Sequence, residues 1–152
     1  MLFRSLIYET ESFLFQVKSN LDLLTQALGY MFPSIKSSHT FKHSGQGEDF
    51  IAGGKVIDSL KKENIEIAGL LEKNRKLWIQ DLVIMRNTVT HYSRLKNFHC
   101  FLEEPYVGEE KVRIHYPSMP SGERVDDYCK RNYKNLLNLY KDIFNFVKEM
   151  PR

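Results

Sequence analysis

The longest helical pattern of the chain, residues 63–95, constrains its fold more than any other feature. Apolar residues recur along it at helical spacings, which predicts one continuous amphipathic helix. They are Ile67, Leu70, Leu71, Leu77, Trp78, Leu82, Met85 and Val89. Around residues 77–85 the apolar positions extend nearly all the way round the helix, so we expect neighbouring elements to cover this part. The pattern therefore predicts a helical bundle.

Two further helices are predicted towards the ends of the chain. Residues 3–32 carry one apolar stripe and stop at Pro33, because proline disfavours helical backbone in the residue before it. This stripe consists of Leu6, Phe13, Val17, Leu21, Leu24 and Leu28. Residues 125–149 carry a second stripe, for which we expect inward-facing side chains at Tyr133, Leu136, Leu137, Tyr140, Ile143, Phe144 and Val147.

The remaining segments predict shorter elements. Residues 33–48, "PSIKSSHTFKHSGQGE", are typical of a loop that is too long to be a mere connector, and residues 49–61 predict a short helix. Residues 97–117 hold two β-like runs separated by "PYVGEE", which indicates a small hairpin. We therefore expect an all-α fold of one domain, residues 1–152: an up-down helical bundle with a small β-hairpin or extended insert before the last helix.

Composition excludes several classes of protein. Hydrophobic residues make up 42% of the 152 residues, too many for a disordered chain. The net charge of +3 is mild, but two basic segments, residues 62–96 and 124–152, flank an acidic one. The cysteines Cys100 and Cys129 lack metal-binding spacing, and we expect free thiols in a reducing compartment. No signal peptide and no run of 18 apolar residues is present, so we expect a cytoplasmic protein that does not enter a membrane.

The long helical pattern ends in an unusual group of polar residues, "RNTVTHY", which follows the apolar run directly. Asn87 and His91 are four residues apart and share one helix face, while Arg86 lies in the neighbouring column. Asn87 can hydrogen-bond the imidazole, His91 can act as general acid or base, and Arg86 offers a planar cation suited to phosphate. Together these residue types suit phosphodiester chemistry.

The same residues resemble a known motif. Arg86, the polar Asn87 and His91, with four residues between the arginine and the histidine, resemble the R-X4-6-H motif of the HEPN superfamily. Members of that superfamily are compact helical bundles that usually pair as homodimers. Many are metal-independent RNases of toxin–antitoxin, abortive-infection and CRISPR systems, and the motifs of their two protomers meet in one cleft. The helical layout covers most of the chain, whereas the motif covers these few positions.

The resemblance implies a HEPN-type endoribonuclease that uses neither metal nor cofactor. It assigns proton transfer to His91, phosphate and transition-state charge to Arg86, and orientation to Asn87. RNA would be the substrate, a second copy the partner in a homodimer, and a toxin or phage- or stress-defence role the setting, with a cognate antitoxin protein as a possible further partner. Some relatives carry a tyrosine two residues after the histidine, where this chain has Ser93, so modification of that tyrosine is not carried over.

Further residues are candidates for RNA binding around this motif. Tyr92 can stack on a base, and Arg94 and Lys96 extend the basic character beyond the motif. In the loop, Lys42 and His43 can contact phosphates. His39 and His43 have a spacing that metal sites use, but no third ligand has matching spacing, so we expect no metal there.

Two alternatives to an RNase remain open. One is a non-catalytic HEPN-like module that binds nucleotide or RNA, or serves as a protein-interaction subunit, with its cleft kept for recognition. The other is a helical interaction protein without cleft chemistry, in which Arg86 and His91 are solvated cations stabilised by the negative end of the helix dipole. A nucleotide triphosphate site of the Walker type is excluded, because Lys55 is followed by Val56 and Asp49 occupies the place of the first glycine.

Overall fold

The chain is mostly helical. The computed structural model describes residues 2–41, 51–91, 99–103, 106, 107, 110, 111 and 114–150. The helices are α1 (Leu2–Met31), α2 (Gly54–Leu60), α3 (Ile65–Asn74), α4 (Gln80–His91) and α5 (Val125–Glu149), and a π-helical turn, Arg75–Ile79, joins α3 to α4. The strands are β1 (His99–Glu103), β2 (Tyr106–Val107), β3 (Glu110–Lys111) and β4 (Ile114–Ser118). None of the described helices is both long and apolar enough to cross a bilayer.

The predicted insert before the last helix is present as antiparallel β structure. Strand β1 pairs with β4, with His99 opposite Ser118 and Glu103 opposite Ile114. Strand β2 pairs with β3. After β4 the chain turns at Gly122, which has a positive φ of 86° that favours glycine, and α5 begins three residues later.

The core of the bundle lies between α1, α4 and α5 and includes buried side chains of α2 and α3. The stripe of α1 is confirmed at Val17, Leu21, Leu24 and Leu28, all of which are buried, while Leu6 and Phe13 are partly buried against them. Helix α5 buries residues at spacings of three and four: Val125, Tyr128, Asn132, Leu136, Leu139 and Ile143. Burial of these apolar side chains is the main stabilising term of such a bundle.

The predicted continuous helix over residues 63–95 is divided in the structure. It begins at Ile65, where the Asn64 side chain caps the first turn by accepting the backbone N–H of Ile67 at 3.0 Å. The π-helical turn then interrupts the α-helical hydrogen bonding, and within it Trp78 donates its indole N–H to Asn74 at 2.9 Å. A π turn adds residues to one turn and so shifts the faces of the helix that follows.

Several expected core positions are wrong. Leu77, in the π turn, is 64% exposed and Ile84 is 44% exposed, so neighbours do not cover this part of the helix on all sides. On α5 the expected inward positions Tyr133, Leu137 and Phe144 are exposed, because the apolar stripe is wider than the surface that the bundle covers. The expectation holds on that helix for Leu136 and Ile143, while Tyr140 and Val147 are partly buried.

Contacts at two points along α1 set its direction relative to α5. Leu6 and Cys129 line one cleft, and further along the Tyr140 hydroxyl donates to the backbone carbonyl of Asn20 at 2.8 Å. Both helices therefore advance in the same sense between these contacts. The loop after α1 then packs on α2, where the Ser34 hydroxyl donates to the carbonyl of Ser59 at 3.1 Å.

Candidate functional site

Arg86 lies where α4 crosses α1. Its guanidinium carbon is 4.8 Å from the centroid of the Phe15 ring, a distance at which a cation is attracted to the face of an aromatic ring. Its Nη1 donates to Oδ1 of Asn87 at 3.1 Å. Both side chains are half-buried. The arginine is therefore held between a ring and an amide, in a place that solvent still reaches.

Helix α4 continues to His91, the last residue of the predicted motif. The backbone of residue 91 consequently follows residue 87 by about one helical turn, as the motif requires. The side chain of His91 lies outside the described part of the structure. Thr88 is exposed, and its hydroxyl donates to the carbonyl of Ile84 at 3.0 Å, an ordinary bond within the helix.

The structure adds Phe15 to the site. No sequence pattern links Phe15 to Arg86, because their contact depends on how α1 and α4 pack against each other. Glu11 lies one turn before Phe15 on the same helix face. One oxygen of its carboxylate is buried and has no hydrogen-bond partner among the described residues. A carboxylate oxygen of this kind can accept a hydrogen bond from an N–H or O–H group. The only sequence signal was the four-residue spacing of Glu11 and Phe15.

The segment that follows α1 is anchored to this helix at Phe41, the last residue described before Lys42 and His43. Asp22 accepts the backbone N–H of Phe41 at 3.1 Å and also pairs with the nearly buried Lys18. Phe41 is fully buried against Gly53, whose φ of 67° is in the left-handed region. A side chain at Gly53 would lie 2.5 Å from the Phe41 ring, so glycine satisfies both the backbone and the space.

Directly before α2 the chain is anchored to α4, where Ala52 donates its backbone N–H to the Gln80 side chain at 2.9 Å. Asp22 is seven residues after Phe15, whereas Gln80 is six residues before Arg86. Helices α1 and α4 are therefore antiparallel. At 1.5 Å per residue, both anchors lie about 10 Å along their helices from the contact between Arg86 and Phe15.

The structure thus brings together Arg86 and Asn87 and places the backbone of His91 one turn further on. The predicted RNA-binding residues Lys42, His43, Tyr92, Arg94 and Lys96 lie outside the described residues. His39 is described, and its Nδ1 accepts the backbone N–H of Lys36 at 3.3 Å, which stabilises a turn.

No family model, curated protein or solved structure matches the chain. The chemistry that the site can perform is therefore inferred from the residues that form it. A planar cation next to a neutral amide favours an anion with several oxygen atoms, and a half-exposed phenyl ring favours a planar group beside it. A phosphate linked to a nucleobase has both properties.

Proposed function

We propose that the chain is a HEPN-like endoribonuclease that cleaves single-stranded RNA as a homodimer, without a metal ion. The observation that carries the proposal is the arrangement of Arg86, which is stacked on Phe15 and bonded to Asn87, on a helix that continues to His91. A guanidinium held on two sides loses little conformational freedom when it binds a phosphate, so its binding energy is available for the reaction.

In the proposed reaction His91 accepts the proton of a ribose 2′-hydroxyl, and the resulting oxygen attacks the adjacent phosphorus. The bond from phosphorus to the 5′-oxygen then breaks, the leaving oxygen takes a proton from water, and His91 releases the proton that it accepted to the solvent. Arg86 offsets the negative charge that develops on the phosphoryl oxygens in the transition state. The products are a 2′,3′-cyclic phosphate and a 5′-hydroxyl end.

Asn87 is assigned two contacts in this proposal. Its carbonyl oxygen accepts from Arg86, as described above, while its amide N–H group can donate to an imidazole nitrogen or to a phosphate oxygen. A neutral amide suits this place, because a carboxylate would compete with the phosphate for the arginine.

The outer face of α1 supports the pairing of two copies. Exposed apolar side chains recur along it at spacings of seven and eight residues: Tyr8, Phe15, Leu23 and Tyr30, of which Tyr30 is 93% exposed. The exposed residues between them on that face, Ser12, Ser19 and Gln26, carry no charge. A second copy seated on this face would contact Phe15, the ring beneath Arg86, and two-fold symmetry would bring two such sites together.

The test compares wild type, Arg86→Ala and His91→Ala on a single-stranded RNA in the presence of EDTA, with thermal unfolding measured for each protein. We expect cleavage by the wild type and a loss of at least about 100-fold in both variants. Equal activity of the three proteins, or loss of wild-type activity in EDTA, would contradict the proposal. RNA binding that weakens in the variants, without any turnover by the wild type, would favour the non-catalytic module instead.

A further inference from the structure

A second cleft lies on the other side of α4, away from α1. It has a volume of about 310 Å³ and is enclosed by the start of α4, the turn before α5 and the first turns of α5. Its apolar wall includes Trp78 and Met85, and its polar lining includes Asp81, Glu123, Tyr128 and Arg131. The RNase proposal uses none of these residues.

One polar side chain of this cleft is unsatisfied. Tyr128 lines the cleft and is only 5% exposed, and its hydroxyl has no hydrogen-bond partner within the part of the chain that the structure describes. Leaving a buried hydroxyl without a hydrogen-bond partner is unfavourable, because the group has lost its bonds to water. Buried tyrosines usually find a partner, so this hydroxyl indicates a place where a polar group is to be received.

The charges of the cleft do not balance. Arg131 donates two hydrogen bonds to Glu123, of 2.9 and 2.7 Å, so these two charges offset each other. The Asp81 carboxylate lies near enough to Arg131 for the two charges to interact, but within the described part of the chain it forms no ion pair and no hydrogen bond. Two carboxylates against one guanidinium leave one net negative charge. Burial, followed by smaller effects that include the nearby Asp81 and Glu123 carboxylates, raises the pKa of Tyr128 well above its ordinary value.

The backbone next to the cleft is irregular, since the π-helical turn Arg75–Ile79 ends two residues before Asp81. Trp78 belongs to this turn and lines the cleft. Single π-helical turns within longer helices are frequent at functional sites, because they re-aim side chains at a small cost in stability. Here the turn lies directly before Asp81, the cleft carboxylate for which the described residues provide no ion pair.

We propose that this cleft, called the amine cleft below, binds a primary ammonium or guanidinium group carried on an aliphatic stem. Asp81 would pair with the cation, and the Tyr128 hydroxyl would accept one of its N–H bonds. Trp78 and Met85 would pack against the methylene groups of the stem. Free polyamines carry such a cationic group on an aliphatic stem, and so do the arginine and lysine side chains of a protein partner.

The test titrates the full chain with n-butylguanidinium and with n-butylurea, which has nearly the same shape and no charge, by calorimetry and by NMR of the Trp78 indole. We expect saturable binding of the guanidinium only. Asp81→Asn should weaken it at least tenfold, and Tyr128→Phe about threefold or more. Asp142→Asn is the matched control, since it removes one exposed carboxylate of α5 outside the cleft, and it should leave the affinity unchanged.

Thermal unfolding separates binding from folding in these variants. Because the Tyr128 hydroxyl has no partner in the cleft, Tyr128→Phe should unfold at the wild-type temperature or slightly above it. The proposal is overturned if no guanidinium binding is detected up to about 10 mM, if butylurea binds equally well, or if Asp142→Asn weakens binding as much as Asp81→Asn.

A capped glycyl-arginyl-glycine peptide identifies the source of the group once binding is established. Tighter binding of the peptide than of butylguanidinium supports a segment of a protein partner, because the peptide adds backbone contacts. Equal or weaker binding supports a free amine of small size. Either result is consistent with the proposed chemistry, which is independent of whether the chain cleaves RNA.

Discussion

Two arginines of the molecule lie over aromatic rings, and their surroundings differ. Arg86 is 4.8 Å from the centroid of Phe15 and donates to the amide oxygen of Asn87. Arg131 is 5.4 Å from the centroid of Tyr128 and donates twice to the carboxylate of Glu123. The first contact joins α1 to α4, while the second lies within the N-terminal part of α5 and the turn before it.

The difference teaches that the group bonded to an arginine decides what else it can bind. A carboxylate offsets the charge of Arg131, so the cleft around it keeps the negative charge of Asp81 and suits a cation. The Asn87 amide that accepts from Arg86 is neutral and adds no negative charge of its own, which suits a phosphate. Asp81 and Arg86 are five residues apart, so one helix presents opposite charges to two separate sites.

The largest effect is expected from Asn87→Asp, which gives Arg86 the kind of partner that Arg131 has. The change alters the shape of the side chain very little, but the new carboxylate competes with phosphate for the guanidinium. We expect RNA cleavage to fall about 100-fold while the protein stays folded. Measured cleavage rates and unfolding curves of the variant check this, with Asn87→Gln as the uncharged control.

Gly53→Ala is expected to reduce stability, because it strains the left-handed backbone and forces a methyl group against the Phe41 ring. The loss in the free energy of unfolding should be about 2 kcal/mol or more. Chemical denaturation measures it. Gly69→Ala, at an exposed glycine of α3 whose added methyl group meets no atom, should be neutral or stabilising. A Gly53→Ala protein as stable as the wild type would contradict the anchoring of the loop.

Glu123→Gln makes the surroundings of Arg131 resemble those of Arg86. The variant loses one charge-assisted pair near the surface, so we expect a decrease of about 1 kcal/mol in the free energy of unfolding. RNA cleavage should not change. A large loss of cleavage with normal stability would show that the two arginines do not have separate roles.

The smallest effect is expected from Phe15→Leu, which keeps an apolar side chain beneath Arg86 and removes the ring. Such an interaction contributes about 0.5–1 kcal/mol at a partly exposed place, so the affinity for RNA should fall about threefold. To prevent cleavage of the RNA, the affinity is measured in proteins that also carry His91→Ala. In the same background, Phe15→Tyr should retain the affinity. An equal loss in both variants would exclude the ring face as the cause.

Most of the helical layout could be predicted from the sequence, and the contacts between helices could not. The bounds of α1 and α5 follow from long apolar periodicities and from Pro33, and α5 begins and ends where the pattern predicts. No particular residue type marks a π-helical turn, so the sequence predicts an uninterrupted α-helix over residues 63–95. The exposed Tyr133, Leu137 and Phe144 were assigned to the core because periodicity shows which residues share a face, not how much of it a neighbour covers.

In the candidate site, too, contacts within one helix could be predicted from the sequence and contacts between helices could not. The adjacency of Arg86 and Asn87 follows from the helix itself, and the structure adds a hydrogen bond between their side chains. Phe15 is 71 residues away in the sequence and reaches Arg86 only because α1 and α4 are antiparallel in one particular alignment. The amine cleft depends in turn on the π turn and on the pairing of Arg131 in α5 with Glu123 in the turn before it, which no single segment encodes.

The cleavage rate of single-stranded RNA by Arg86→Lys and by Arg131→Lys, each measured per folded molecule, tests the central claim most directly. Lysine keeps the charge and loses the planar fork that phosphate binding and ring stacking use. We expect the cleavage rate to fall at least about tenfold in Arg86→Lys and to stay at the wild-type value in Arg131→Lys. Equal rates for the two variants, or a loss confined to Arg131→Lys, would contradict it.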